Sequence, residues 1–563
     1  MLELRSKQLL GTLTLVAVTA VTLVVAPYTL LDPMGLSKFT VLAFLAIVSL
    51  SLILPSLKSL LSLNHKTLAL LIALFIIQIV LVTIFSGSNI TAQFLGTYQR
   101  HTGALTYISL AILMFGASLV SDSDFLKRFT RITLIIGIIL IVYGNMQYLG
   151  LEPFPYVNSY TTNAPIGTFG NPNFQSAFMG MIAAVSFTMA LNHELKSSIK
   201  VGLALVGVAS LIVVYETLSK QGFLNFTAGL GAVVILWLFM TKRKTLGLAA
   251  SGIGAVGAIF TFLGLINTGP LANILYKGSL EARGYYWRAG IKMLTENPFF
   301  GVGMDGFGNW YTRVRPADYA TKGFFSWSNS AHNVFLDIAS SGGFILLAIY
   351  LAIFVLVVTS IIRVVKRSAR FDVHFVALVG AWVAYQAQAF ISLNQIGLAI
   401  WGWVLSGLII GFEINTRVLE VDQSVPVKAK QQSKKVKNQT QPLTSRVVIS
   451  LFVGALVGAI IAGPIYFSNS RFYAAIKAND FEGVQSAAYL RPHDERRLFM
   501  LAGIYRNAKM DAKAVEVLKE STLIYPDSYD MWTLWLSIPT ATPSDIAYAK
   551  AQLKRLDPFN PDF

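Results

Sequence analysis

The chain has no cysteine among its 563 residues and little charge, with 13% Asp, Glu, Lys and Arg together. The first absence excludes disulfides, thiolate metal sites and cysteine nucleophiles. The second excludes an ordinary soluble protein, in which about 25% of residues are charged. Acidic residues are scarcer than basic ones, 28 against 45, which leaves a formal net charge of +17. Alone, that balance would point to nucleic acid. With 54% hydrophobic residues it points instead to basic loops on the cytoplasmic face of a membrane, and no nucleic-acid partner is expected.

What fills the chain is long apolar runs. They lie near residues 9–31, 39–55, 67–85, 102–121, 129–149, 174–192, 199–217, 222–240, 246–266, 342–362, 373–393, 395–412 and 446–468. Most approach the roughly 20 residues that cross about 30 Å of hydrocarbon as a helix, satisfying every backbone group internally. The expected fold class is all-α, a polytopic membrane protein with about 12–13 transmembrane helices and a C-terminal helical-repeat domain. The first run follows Arg5 and Lys7. It is too long for a signal-peptide core and reads as an uncleaved helix.

Basic residues set the orientation. Lys58, Lys66, Lys127, Arg128, Arg131, Lys196, Lys200, Lys242, Arg243, Lys244, Arg363, Lys366, Arg367 and Arg370 fall in loops on the side of the N-terminus. The opposite short loops hold little beyond Lys38, Arg100 and Lys220. The positive-inside rule then places the N-terminus in the cytoplasm. Four regions follow: a transmembrane domain over 1–413, a basic linker over 414–445, a further span over 446–468 and an extracytoplasmic tail over 469–563. The linker, with Lys428, Lys430, Lys434, Lys435 and Lys437, reads as disordered and cytoplasmic. Three outer loops remain. Residues 86–101 end in Gln99-Arg100-His101; residues 150–173 lack Lys and Arg; residues 267–341 carry Arg283, Arg288, Arg313 and Arg315. A loop as long as the last predicts short helices lying on the membrane face.

The tail contains a spacing. Pro492 and Pro526 stand 34 residues apart and Pro558 follows after 32. Leu498, Leu501, Ala502, Tyr505, Ala514 and Leu518 occupy the positions that a tetratricopeptide repeat keeps apolar, small or aromatic. Two roles are open for it: docking a protein partner or substrate, and capping the outer face.

The outer loops also lack an Asp-x-Asp pair and a phosphate-gripping Gly-x4-Gly-Lys-Ser/Thr loop, so no metal, cofactor or nucleotide is expected. What they have is arginine and one histidine. Guanidinium stays charged and grips phosphate bidentately, which points to an anionic substrate. His332, at the mouth of a helix, has an ordinary pKa suited to general-base work.

Three motifs, between about residues 96 and 410, resemble the O-antigen ligase and O-antigen polymerase family of membrane glycosyltransferases. They are Gly167-Thr168-Phe169-Gly170-Asn171-Pro172-Asn173; Arg283 to Trp287 with Asn297-Pro298 and Gly301-Val302-Gly303; and Ala331-His332-Asn333. The resemblance implies transfer of a glycan from a polyprenyl-diphosphate carrier to an acceptor hydroxyl on a glycan, lipid or protein, without a metal, at the outer face of a bacterial cytoplasmic membrane. It implies that Arg283 holds the diphosphate and that His332 takes or positions the proton of the attacking hydroxyl. Arg100, Lys220, Arg288, Asn333, Asn171 and Asn173 become substrate-binding candidates. Two positions depart from the family pattern. Lys220 stands where Ser-Arg-Gly is common, and Ser340 and Ser341 replace a Glu before the Gly pair. Tyr156, Tyr160 and Phe169 either stack on sugar rings or sit at the membrane interface. A transporter or lipid flippase, which would need ionisable residues inside its spans, and a non-catalytic envelope-assembly scaffold are the alternatives.

Overall fold

The computed structural model describes residues 4–57, 64–154, 163–320, 327–368, 371–424 and 444–562. The linker lysines from Lys428 to Lys437, with Lys58, Arg370, Tyr156 and Tyr160, lie outside them.

The fold is built of helices, and no strand occurs among the described residues. In chain order they are α1 (Leu4–Leu23), α2 (Gly35–Ile53), α3 (Lys66–Phe85), α4 (Ile90–Leu95), α5 (Ala104–Val120), α6 (Ser123–Tyr148) and α7 (Pro172–Ala190). There follow α8 (Ser197–Glu216), α9 (Gln221–Met240), α10 (Lys244–Leu265), α11 (Ala272–Leu275), α12 (Ser279–Glu296), α13 (Phe307–Val314), α14 (Val334–Arg367), α15 (Val373–Ile391) and α16 (Ile396–Ser424). After the linker come α17 (Ser445–Lys477), α18 (Phe481–Ala488), α19 (Glu495–Asn507), α20 (Asp511–Ile524), α21 (Tyr529–Leu536) and α22 (Pro543–Leu556).

Among the described residues, ten helices are long and apolar enough to cross a membrane. Every predicted apolar run forms a helix, the first only as far as Leu23, but α5, α6 and α7 fall outside the ten. α5 is apolar but only 17 residues long, whereas α7 carries polar side chains. α5 and α7 are buried along almost their whole length, and a helix surrounded by protein is free to carry Gln175, Ser176, Ser186 and Thr188 inward. α6 starts on the charged run from Asp122 to Arg131. α16 lies at the centre, where fully buried Trp401 donates to the Thr22 hydroxyl at 2.9 Å. Gly407 and Gly411 bring α16 onto α5, because an added Cβ would meet the Met114 and Ser118 carbonyls.

Among its described residues, the stretch from 267 to 341 contains α11, α12, α13 and the start of α14. Its glycine motif pairs with the start of α14. The Val302 and Gly303 amides donate to the Ser340 and Ser341 carbonyls at 2.8 and 3.1 Å, and the Phe344 amide donates to the Pro298 carbonyl at 2.8 Å. α14 breaks there, at Gly343 with φ +75°. Gly301, at φ +59°, faces the same carbonyls with no room for a side chain. Gly301→Ala is therefore expected to destabilise the fold by about 1–3 kcal/mol through left-handed backbone strain alone. An unchanged thermal midpoint would show that the pairing yields without cost.

The tail forms a second core of helical hairpins. Leu498, Leu501, Ala502, Tyr505, Ala514 and Leu518 are all buried in it. It docks on the loops that bear Asn89, Arg313 and Arg315. Arg315 pairs with Asp557 at 2.6 Å and Arg313 with Asp527 at 2.7 Å. The Asn89 amide donates to the Ile524 carbonyl at 2.7 Å. The described residues of the loops at 86–103 and 267–333 thus meet the tail.

Candidate active site

His332 lies on a turn fixed by what flanks it. Asn333 caps α14, accepting from the Leu336 amide at 3.1 Å, while its own amide group donates to the Phe390 carbonyl at 2.9 Å. Asp337, one turn into that helix, reaches back to accept from the Ala331 amide at 2.7 Å and the Ser330 hydroxyl at 3.0 Å. Ser330 in turn accepts from the His332 amide at 2.8 Å. Drawn in from both sides, His332 takes the left-handed backbone, φ +52°. That conformation is unusual for a residue with a side chain. The imidazole is left half-buried.

Arg283 and Tyr286 stand three residues apart on α12 and so share a face. The Tyr286 ring centroid lies 5.5 Å from that of His332. Among the described residues no carboxylate pairs with Arg283. Burial lowers its pKa to about 10, with Tyr286 acting the other way, so it keeps its charge at neutral pH. His332 is pushed down to about 3, by burial first and then by the charges of Arg283 and Arg100. A neutral imidazole thus faces a cation that lacks its anion.

Arg100 arrives from the other side, already paired. Its guanidinium lies 3.3 Å from Asp305 and 4.0 Å from Asp337. It also donates to the Asn329 carbonyl and, at 3.2 Å, to the Thr102 hydroxyl. Asp305 further accepts from the Thr97 amide at 2.7 Å and from the Thr97 and Thr102 hydroxyls at 3.0 and 2.9 Å. This buried cluster joins the loop at 96–103 to the loop that bears His332. Beside it, His101 and Asp32 pair at 3.1 Å. Burial opposes charge on both, yet Asp32 holds the imidazole above its ordinary pKa and is itself held below the usual carboxylate range.

The other predicted residues form a second group. Asn171 caps α7, accepting from the Asn173 amide at 2.8 Å. Asn173 accepts from the Ser219 hydroxyl at 2.7 Å, and Ser176 accepts from the Gly222 amide at 3.0 Å. The Gly-Thr-Phe-Gly-Asn-Pro-Asn motif therefore braces the turn that holds exposed Lys220. α15 is the wall common to both groups. Gln388 accepts from Asn225 of α9 at 3.3 Å, and the Phe390 carbonyl takes Asn333. Arg288 belongs to neither. It is exposed over the Tyr285 ring, 4.9 Å away, roughly 140° round the helix from Arg283.

The structure thus brings together Arg100, Arg283, His332 and Asn333. Asn333 and Arg100 are committed to holding the turn, and Arg283 and His332 remain available to a ligand. Asp305 and Asp337 were not singled out from the sequence. Their signal was rarity, two carboxylates in apolar, basic surroundings. Among the described residues no three His, Cys, Asp or Glu side chains gather into a metal-binding group.

No curated protein matches the sequence. Residues 205–351, which carry Lys220, Arg283 and His332, match the family model described as O-antigen ligase, and the chain therefore carries an O-antigen ligase domain.

Proposed function

We propose that this membrane protein transfers a glycan from a polyprenyl-diphosphate carrier to an acceptor hydroxyl at the outer face of a bacterial cytoplasmic membrane, with the N-terminus inside and the tail outside. The observation that carries this reading is the unpaired Arg283 beside the neutral His332. A diphosphate supplies the anion that Arg283 lacks. The acceptor oxygen attacks the anomeric carbon as the bond from that carbon to the diphosphate oxygen breaks. The electron pair leaves on the diphosphate, where Arg283 stabilises it. The hydroxyl proton passes to His332 and from there to the departing phosphate or solvent. Products are the glycoside and the free polyprenyl diphosphate. Arg100 acts as a positioning residue that fixes the His332 turn, and exposed Lys220 is a second cation for the carrier.

The depressed pKa makes His332 a weak base until donor binds. Two phosphate charges offset Arg283 and let its pKa climb back towards the ordinary 6.5 or so. Since protonation below the pKa removes the base, the acid limb of kcat is expected at higher pH than that of kcat/KM. The first reports the donor complex and the second the free enzyme. Coincident limbs near pH 6.5 would count against this coupling.

Purified protein supplied with a polyprenyl-diphosphate glycan and candidate acceptors tests the reading. Wild type should form product, and His332→Ala should lose about 10²–10⁴ of the rate, the usual share of a general base. Near-normal transfer by His332→Ala would keep the reaction and discard the base. Translocation of the lipid without product would favour a flippase.

A further inference from the structure

A cavity of about 590 Å³ lies between the outer loops and the tail, within the range of about 300–1,000 Å³ common for ligand sites. Its floor is the reverse side of the loops that hold Arg100. Gly96, Thr97, Asp305 and Asn329 line it; Asp305 pairs with Arg100 and the Asn329 carbonyl accepts from it. Asn329 stands just ahead of the Ser330–His332 turn. The facing wall belongs to the tail, from the start of α19 and the turn between α20 and α21.

Two properties of the lining narrow its ligand. The tail contributes Asp494, Glu495, Asp527 and Asp530, in a chain whose net charge is +17. Asp527 is paired with Arg313 and Arg555, while Asp530 is exposed and in no ion pair among the described residues. Crowding is evident at Glu495. Burial and then the charges of Asp530, Asp494 and Asp527 raise it to about 7, against a hydrogen bond with Ser528. The cation on that wall, Arg496, spreads over the Tyr98 and Phe499 rings, 5.2 Å from each. The second property is aromatic surface: Trp327 is 54% exposed and lines the cavity with Tyr98. A flat ring beside carboxylates suits a ligand with an apolar face and a rim of hydroxyl or ammonium donors. A polyanion would be repelled.

We propose that this cleft seats the acceptor, a neutral or amine-bearing glycan chain whose terminal hydroxyl passes the Asn329 edge towards His332; the assignment rests on the glycosyl-transfer reading. Asp530 and Glu495 accept from its hydroxyl or ammonium groups, and Trp327 carries the face of one ring. The donor diphosphate and the acceptor are thereby sorted by charge to opposite sides of the Arg100 cluster.

The test is calorimetric titration of the full chain in lipid nanodiscs. The probes are a chitin tetrasaccharide, its deacetylated amine-bearing counterpart and an oligomer of glycerol phosphate. At least one sugar should bind, and Trp327→Ala and Asp530→Asn should each weaken it by about tenfold or more with thermal unfolding unchanged. The glycerol phosphate oligomer should not compete. Equal binding to wild type and both variants, stronger binding of the phosphate oligomer, or binding of neither sugar would overturn the assignment. Titration needs neither donor nor turnover, so the two readings fail separately. Loss of the cleft with His332-dependent transfer intact ends only the acceptor assignment. Cleft-dependent sugar binding in a chain that transfers nothing ends only the reaction.

Discussion

Replacing Arg283 by alanine is expected to lower glycan transfer by about 10²–10³-fold, the usual loss when one fixed group facing a developing negative charge is removed. Of the cations around His332, Arg283 is the one without a carboxylate among the described residues, whereas Arg100 is held by Asp305 and Asp337. A fixed charge already satisfied by the protein gains little when a leaving group becomes negative. An unsatisfied one gains most. Arg283→Lys should recover only part of the rate, because an ammonium cannot match a guanidinium's paired contacts with phosphate. Arg288→Ala should change it little, since Arg288 lies exposed over Tyr285. Initial rates at saturating acceptor, across donor concentration, distinguish these. If Arg288→Ala proved as damaging as Arg283→Ala, the diphosphate would lie on the other face of α12.

Asp305→Ala is expected to be the most destabilising single change near the site, by about 3–5 kcal/mol, the cost of leaving a buried charge without its partner. Five contacts end on that carboxylate: Arg100, the Thr97 and Thr102 hydroxyls and both of their amides. Without it Arg100 keeps Asp337, at 4.0 Å, as its remaining carboxylate among the described residues, and the loop at 96–103 loses its anchor. Transfer should fall with stability, although neither residue need touch substrate. The paired replacement Asp305→Leu with Arg100→Met separates the causes. Removing both charges should restore much of the stability, while transfer stays low if the cluster positions His332. Thermal unfolding in nanodiscs measures the first and initial rates the second. A double variant as unstable as Asp305→Ala would mean that the loop depends on the threonine contacts, not on the buried charge.

The fold class was legible because a bilayer leaves the chain few choices. A run of about 20 apolar residues must be helical, since every backbone group has to be satisfied inside the segment. Hence each of the thirteen runs forms a helix, the first only as far as Leu23. What hydropathy could not tell was which of them face lipid. α5 and α7 are buried almost throughout, and so is α16, although it counts among the ten apolar spans. Burial between helices and exposure to hydrocarbon ask for overlapping compositions.

The site divides along a similar line. Arg283, His332 and the glycine motif stood out by residue type, because charge and glycine are conspicuous among apolar helices. Their order in the chain matched the O-antigen ligase pattern, and the family match over residues 205–351 agrees. Spacing along a chain, however, carries no information about which cation will be neutralised. Arg100 meets Asp305 and Asp337 across more than 200 residues of sequence, and those contacts make it a brace and leave Arg283 available. The same limit hid the cleft, whose lining comes from the loop at 87–99, from Asp305, Trp327 and Asn329, and from the tail from His493 onward. The sequence by itself determined a helical membrane protein and singled out arginine and histidine in its long loops. Only the tertiary structure decided which charges are spent on holding it together, because pairing is settled by distance in space.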